Sequence, residues 1–219
     1  MLKSNVTKKL VEEFEKSLKE IIKLLEDNNL NKAIDNIENT FSSLFRLNSM
    51  FFDSMSDENL IEILKVGSEL EKDKAIIISK LLEEKAKILE KNNKTSESFY
   101  TYLKSLNLFV EAYLCDNEAE LTYCLNDINF IIDKLSQYNL PKETLIRLIN
   151  YYIAYEDFAL AENMLYELLE TTNYSKDSLN IATCFYENLL YKDDEILKKG
   201  NLPREEVLDG LNTIKKKSM

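Results

Sequence analysis

Three helical-looking stretches of this chain break off for two or three polar residues and then resume on a small side chain, and nothing else in the sequence constrains the fold as tightly. The breaks lie in Glu26-Asp27-Asn28-Asn29-Leu30-Asn31-Lys32-Ala33, in Lys91-Asn92-Asn93-Lys94-Thr95-Ser96-Glu97-Ser98 and in Tyr155-Glu156-Asp157-Phe158-Ala159-Leu160-Ala161. So short an interruption turns one helix back along the other. The small residue then lets the second helix of the hairpin pack closely on the first.

Composition points the same way. Only 3 Gly and 2 Pro interrupt 219 residues, so little in the chain breaks helices. A chain of this length hides roughly 70% of its unfolded surface on folding, enough for a core without disulfides or metals. Apolar positions step by three or four along Val6 to Glu26 (Leu10, Phe14, Leu18, Ile21, Ile22, Leu25), the period of a helix with one buried face. The same period predicts helices from about Asn31 to Phe45, Leu70 to Lys91, Ser96 to Leu114 and Asp116 or Asn117 to Tyr138. Leu47 to Met55, rich in Phe and Met, reads as an irregular plug. Ser56 reads as the cap of a short helix that runs to about Val66 and stops near Gly67.

Pro141 and Pro203 stand where proline starts helices. The third hairpin runs from Pro141 to Thr171, followed by helices from Ser175 to Leu190, Asp193 to Lys199 and Pro203 to about Lys217. No linker or composition shift divides the chain, so residues 1–219 are expected as a single all-α domain of about ten helices.

A balance of 28 basic against 39 acidic residues leaves a net charge of −11. That excess repels phosphate polymers and anionic lipid, so neither nucleic acid nor membrane is an expected partner. A basic or neutral protein or peptide is the expected one. Cys115, Cys124 and Cys184 are odd in number and sit in apolar surroundings, which predicts buried, reduced thiols. The N-terminal residues alternate charged and apolar side chains, and runs such as Ala75-Ile76-Ile77-Ile78 fall far short of the ~20 residues of a membrane span. A cytoplasmic location is the expectation.

Chemistry is hard to find in the sequence. Histidine is absent, and with it the side chain that ordinarily titrates near neutrality. The cysteines lack zinc-ligand spacing, and Gly67, Gly200 and Gly210 are isolated, so no phosphate-cradling loop is formed. E-x-x-[ED] pairs at Glu12/Glu15, Glu167/Glu170 and Glu206/Asp209 place two carboxylates one turn apart, the spacing with which some all-α pyrophosphohydrolases bind magnesium. With 39 acids in 219 positions, chance supplies several such pairs. Neither a catalytic residue, a metal nor a cofactor is expected.

At Tyr152, Phe158, Ala161 and Leu165 the third hairpin resembles the tetratricopeptide repeat, a 34-residue helix-turn-helix unit. It departs from the consensus at Ile149 and Leu168. The whole chain resembles a family of tetratricopeptide-like proteins of clostridial and related Gram-positive bacteria with no assigned activity. Phe51-Phe52-Asp53-Ser54-Met55-Ser56-Asp57-Glu58-Asn59-Leu60 and the ending Leu202-Pro203-Arg204-Glu205-Glu206-Val207-Leu208-Asp209-Gly210-Leu211 carry that likeness. The resemblance implies antiparallel hairpins stacked as a right-handed superhelix, whose first helices line a concave surface. In that frame the groove positions are Lys80, Glu83 and Lys87 in the middle hairpin and Glu143, Ile146, Arg147, Asn150 and Ile153 in the third, with Glu90 alongside the former. The expected function is a noncatalytic protein- or peptide-binding module. The alternatives are a homo-oligomer joined through Phe45 to Met55 or the C-terminal helix, and the magnesium-dependent pyrophosphohydrolase.

Overall fold

A computed structural model describes residues 2–217, with side chains from Val6 onward. The chain is all-α, built of packed helix pairs. Twelve α-helices lie among the described residues, against about ten expected, and the one in a stretch not read as helix is the short Ser49–Ser54. The chain divides into two compact units, 1–138 and 139–219.

In the first unit, α1 (Leu2–Glu26) and α2 (Leu30–Phe45) form one hairpin, and α5 (Lys72–Lys91) and α6 (Thr95–Leu114) form the next. Fourteen of the twenty residues of α5 are buried, which makes it the central rod. Ser98 Oγ donates to Ala86 O at 3.0 Å and Ser105 Oγ to Ser79 O at 2.7 Å, a pairing only antiparallel helices give. Ala33 and Ala161 are fully covered and Ser98 nearly so, as the small-residue pattern predicts. Phe14, Ile21, Ile37 and Phe41 close the first hairpin; each such buried side chain contributes about 1.5–3 kcal/mol.

All three hairpins turn by the same device. Asn29 N–H bonds Leu24 O at 2.8 Å, Lys94 N–H bonds Leu89 O at 2.9 Å and Asp157 N–H bonds Tyr152 O at 2.9 Å. The residue before each donor is left-handed: Asn28 at φ 54°, Asn93 at φ 58° and Glu156 at φ 61°. This is the Schellman closure that ends helices and pairs their last carbonyls. Asn173 and Asn201 repeat it, with bonds from Tyr174 N–H to Leu169 O and Leu202 N–H to Leu197 O.

Three segments differ from the sequence reading. Leu47 to Met55 is no irregular plug, because it contains a helix, α3 (Ser49–Ser54), whose start is capped by the Asn48 side chain accepting from Phe51 N–H. Lys104, on α6, donates to Phe52 O at 2.7 Å and Asp53 O at 2.9 Å, and also to Met55 O, filling the carbonyls at its far end. Helix α4 (Asp57–Ile63), capped by Ser56 as expected, stops short of Val66. The chain then makes a two-residue hairpin, β1 (Lys65–Val66) against β2 (Glu69–Leu70), with Gly67 at φ 69° in the turn. The expected helix from Asp116 to Tyr138 is also shorter: a 3₁₀ turn over Thr122–Asn126 leads into α7 (Asp127–Leu135). Asp73 accepts from Glu120 N–H and Leu121 N–H, both at 3.0 Å, and so holds the intervening chain extended on α5.

In the second unit, α8 (Lys142–Ala154) pairs with α9 (Phe158–Thr171), and α10 (Lys176–Leu189) packs on α12 (Arg204–Lys217), with the short α11 (Asp194–Lys199) between them in sequence. Both prolines precede helices, as predicted. Two glycines permit close approaches. A Cβ on Gly200 would lie 2.3 Å from Phe158 Cδ2, and one on Gly210 would lie 2.4 Å from the Tyr186 ring. The thiols divide: Cys124 is buried, whereas Cys184 is exposed, correcting the expectation of burial, and Cys115 is intermediate. No described helix is long and apolar enough to cross a membrane.

Candidate functional site

Lys80, Glu83 and Lys87 share one face of α5 by their three- and four-residue spacing, and the structure brings them together. Lys80 Nζ lies 2.8 Å from Glu83 Oε2, 2.9 Å from Glu84 Oε1 and 2.7 Å from Asp127 Oδ2. Lys87 Nζ meets Glu83 Oε1 at 2.6 Å and the same Glu84 oxygen at 2.9 Å. Only 1% of the Glu83 side chain and 9% of the Lys80 side chain reach solvent. These are charges taken out of water, tolerated through ion pairing among five groups.

Their protonation follows from burial and neighbours. Burial works to lower Lys80, but Glu84, Glu83 and the Asp127 hydrogen bond outweigh it and hold the ammonium charged far above its ordinary range. Burial pushes Glu83 above the usual carboxylate range, opposed by Lys80 and Lys87. Burial also raises the nearby Cys124 thiol to about 11, against the pull of Lys80, so it stays protonated at neutral pH.

The cluster floors a cleft. Asp127 begins α7 beside Lys80, and further along Lys134 bonds both oxygens of Glu90, at 2.8 and 3.0 Å, so α7 runs parallel to α5. Lys91 Nζ donates to Leu25 O at 3.2 Å, tying the end of α1 to the end of α5. Between α1 and α7, over α5, lies an open cleft of about 640 Å³. Ile22, Leu25 and Phe130 supply its apolar surface, and Ile22 and Phe130 are each 38% exposed. Lysine ammoniums flank the Phe130 ring, Lys87 at 5.0 Å and Lys134 at 5.6 Å from its centre. The arrangement can hold an apolar or cationic side chain against an aromatic face.

The tetratricopeptide frame picked out Lys80, Glu83, Lys87 and Glu90 on α5 but missed Glu84, Asp127, Phe130 and Ile22. Glu84 was legible from its i,i+4 spacing to Lys80; the others come from separate helices, and no local signal marks them. The remaining candidates lie on α8 in the second unit. Glu143 and Asn150 are exposed, and Ile146, Arg147 and Ile153 are partly covered. Among the described residues no three Asp, Glu or Cys side chains are placed to hold a metal ion.

The fold and cleft define an all-α protein of helix hairpins with a charged, aromatic-lined groove on its first unit. The chain belongs to the family of unknown function DUF6483, which matches residues 1–219. No curated protein and no solved structure matches it.

Proposed function

We propose that this is a noncatalytic, cytoplasmic protein- or peptide-binding module, with its hairpins acting in the manner of tetratricopeptide-like repeats and its binding surface in the cleft over α5. One observation carries the reading: a cleft of about 640 Å³ whose apolar surface includes two partly exposed side chains, Ile22 and Phe130, on a floor fixed by buried ion pairs. Pockets of this size, apolar with a few placed polar groups, are the usual form of a ligand site. The cleft is formed by α1 and α5, the first helices of their hairpins, together with α7, and first helices form the binding surface of stacked repeats. The net charge of −11 favours encounter with basic or neutral partners.

Selection of random twelve-residue peptides displayed on phage tests the reading. Enriched clones are expected to bind the wild type and to lose binding to Phe130→Asp, whose side chain lies at the surface. Clones that bind both proteins equally, or no enrichment over repeated rounds, would overturn it.

A further inference from the structure

The occupant of the cleft has a chemistry that its own lysines mark out. Phe130 presents a ring face that already draws two ammonium groups. Beside it stand carboxylates from two elements, Glu26 on α1 and Glu84 and Glu90 on α5. Glu83 and Asp127 lie directly behind Glu84, on the same lysines. The cleft is lined by these three acids and four lysines, and with Glu83 and Asp127 behind them the local charge is close to balance, so that moving Lys87 outward leaves a place for a cation inside the negative field of the whole chain.

The lysines are not equally held. Lys80 has three carboxylates around it and is nearly covered, so it is a fixed part of the floor. Lys87 is 28% exposed, and its flexible stem ends between the Glu83–Glu84 pair and the Phe130 ring. A planar guanidinium does both of those jobs better than an ammonium: it pairs with a carboxylate through two parallel hydrogen bonds and stacks on an aromatic face. By covering the same two carboxylates, Glu83 and Glu84, it can also displace Lys87 outward to water, because a lysine head is readily solvated at the end of its chain.

We infer that the cleft receives an arginine side chain from a basic segment of a protein partner, which stacks on Phe130 and replaces Lys87 at the Glu83 and Glu84 carboxylates. This rests on the cleft being the binding surface. Lys87 is then an internal stand-in for the partner's cation, and the free protein is partly self-occluded.

The test uses three synthetic peptides of one sequence, N-acetyl-Leu-X-Leu-X-Leu-amide, with X as arginine, its uncharged isostere citrulline, or glutamate. Binding to the full chain is followed by backbone amide shifts at Ile22, Lys87 and Phe130. The arginine peptide is expected to move these amides and to bind about tenfold tighter than the citrulline peptide. Phe130→Ala should weaken it about five- to tenfold. Lys87→Met should tighten it several-fold by removing the competitor, a gain that a purely structural role for Lys87 would not give. Circular dichroism checks that both variants stay folded.

Equal binding of the citrulline peptide at the same amides overturns the inference while leaving the cleft as a binding surface. Tighter binding of the glutamate peptide assigns the lysines to an anion and overturns it too. Absence of arginine-peptide binding, or unchanged or weaker binding by Lys87→Met, also overturns it.

Discussion

Helices α5 and α9 are both buried members of their hairpins, yet they are buried differently. On α9 the covered residues are Phe158, Ala161, Leu165, Leu168 and Leu169, all apolar. On α5 they include Asp73, Ser79, Lys80, Glu83 and Glu84 among the Ile and Leu. Apolar burial stabilises in proportion to area, whereas buried ion pairs roughly break even against hydrophobic side chains of the same volume. The first unit therefore places costly groups where an apolar set would serve stability as well. Under the proposed function these groups fix the floor of the binding cleft.

The strongest way to break the comparison is Lys80→Met. It leaves Glu83 and Glu84 with only Lys87 and takes from Asp127 its lysine, and removing one partner of a buried pair costs about 3–5 kcal/mol. Urea unfolding should show that loss. Combining Lys80→Met with Glu83→Leu and Glu84→Leu should recover most of it, because the floor then becomes apolar like α9. Failure to recover would mean that the ion pairs themselves hold the unit together.

In the second unit the sensitive feature is close packing. Gly200→Ala would set a Cβ 2.3 Å from Phe158 Cδ2 and 2.7 Å from the Glu156 carbonyl oxygen. The backbone contact cannot yield as a side chain can, so overpacking of about 1–3 kcal/mol is expected as a lowered Tm. Adding Phe158→Leu should not restore the wild-type value, since the carbonyl contact remains.

A half-buried carboxyl on α9 gives a smaller effect that depends on pH. Glu162 accepts from Tyr186 O–H at 2.6 Å. Burial raises its pKa, opposed by that hydrogen bond and aided by Glu206. A carboxyl held above its unfolded pKa favours the folded state fully below about 4.5 and loses that contribution as pH rises through the raised value. Glu162→Gln does not ionise. Its stability relative to wild type should therefore climb from pH 4 to pH 8, and a flat difference would mean that the carboxyl keeps its ordinary pKa.

The hairpins were legible because their turns are written locally. Asn28 and Asn93 fall where a left-handed residue ends a helix, and Ala33, Ser98 and Ala161 fall where the partner helix must come close. Helix α3 was not legible, since the lysine that fills its final carbonyls is Lys104, some fifty residues on. Half of the site shares this difficulty. Lys80, Glu83 and Lys87 follow from the resemblance to a tetratricopeptide hairpin, but Asp127 reaches Lys80 across 47 residues through a 3₁₀ turn whose position Asp73 sets. Groups that meet only through tertiary packing leave no trace in a spacing rule, and Cys184 shows the converse: apolar neighbours in sequence did not bury it.

The smallest expected effect sharpens the comparison at the one structural device both units share. Their hairpin turns have the same closing bond, but Asn fills the left-handed position in the first unit, at Asn28 and Asn93, and Glu156 fills it in the α8–α9 turn. Left-handed backbone crowds a Cβ, and Asn bears this better than Glu because its short amide side chain bonds locally. The exposed pair of Glu156 with Lys199, at 3.7 Å, adds little to offset that strain. Glu156→Asn should therefore stabilise the protein by a few tenths to about 1 kcal/mol, and Asn93→Glu should destabilise it by a similar amount. Chemical denaturation of the two variants measures both. Opposite signs of similar size would show that one turn geometry governs both units. A neutral Glu156→Asn would mean instead that the α8–α9 turn is set by its tertiary contacts, with Gly200 O accepting from Ala159 N–H at 3.1 Å as the first of them to remove.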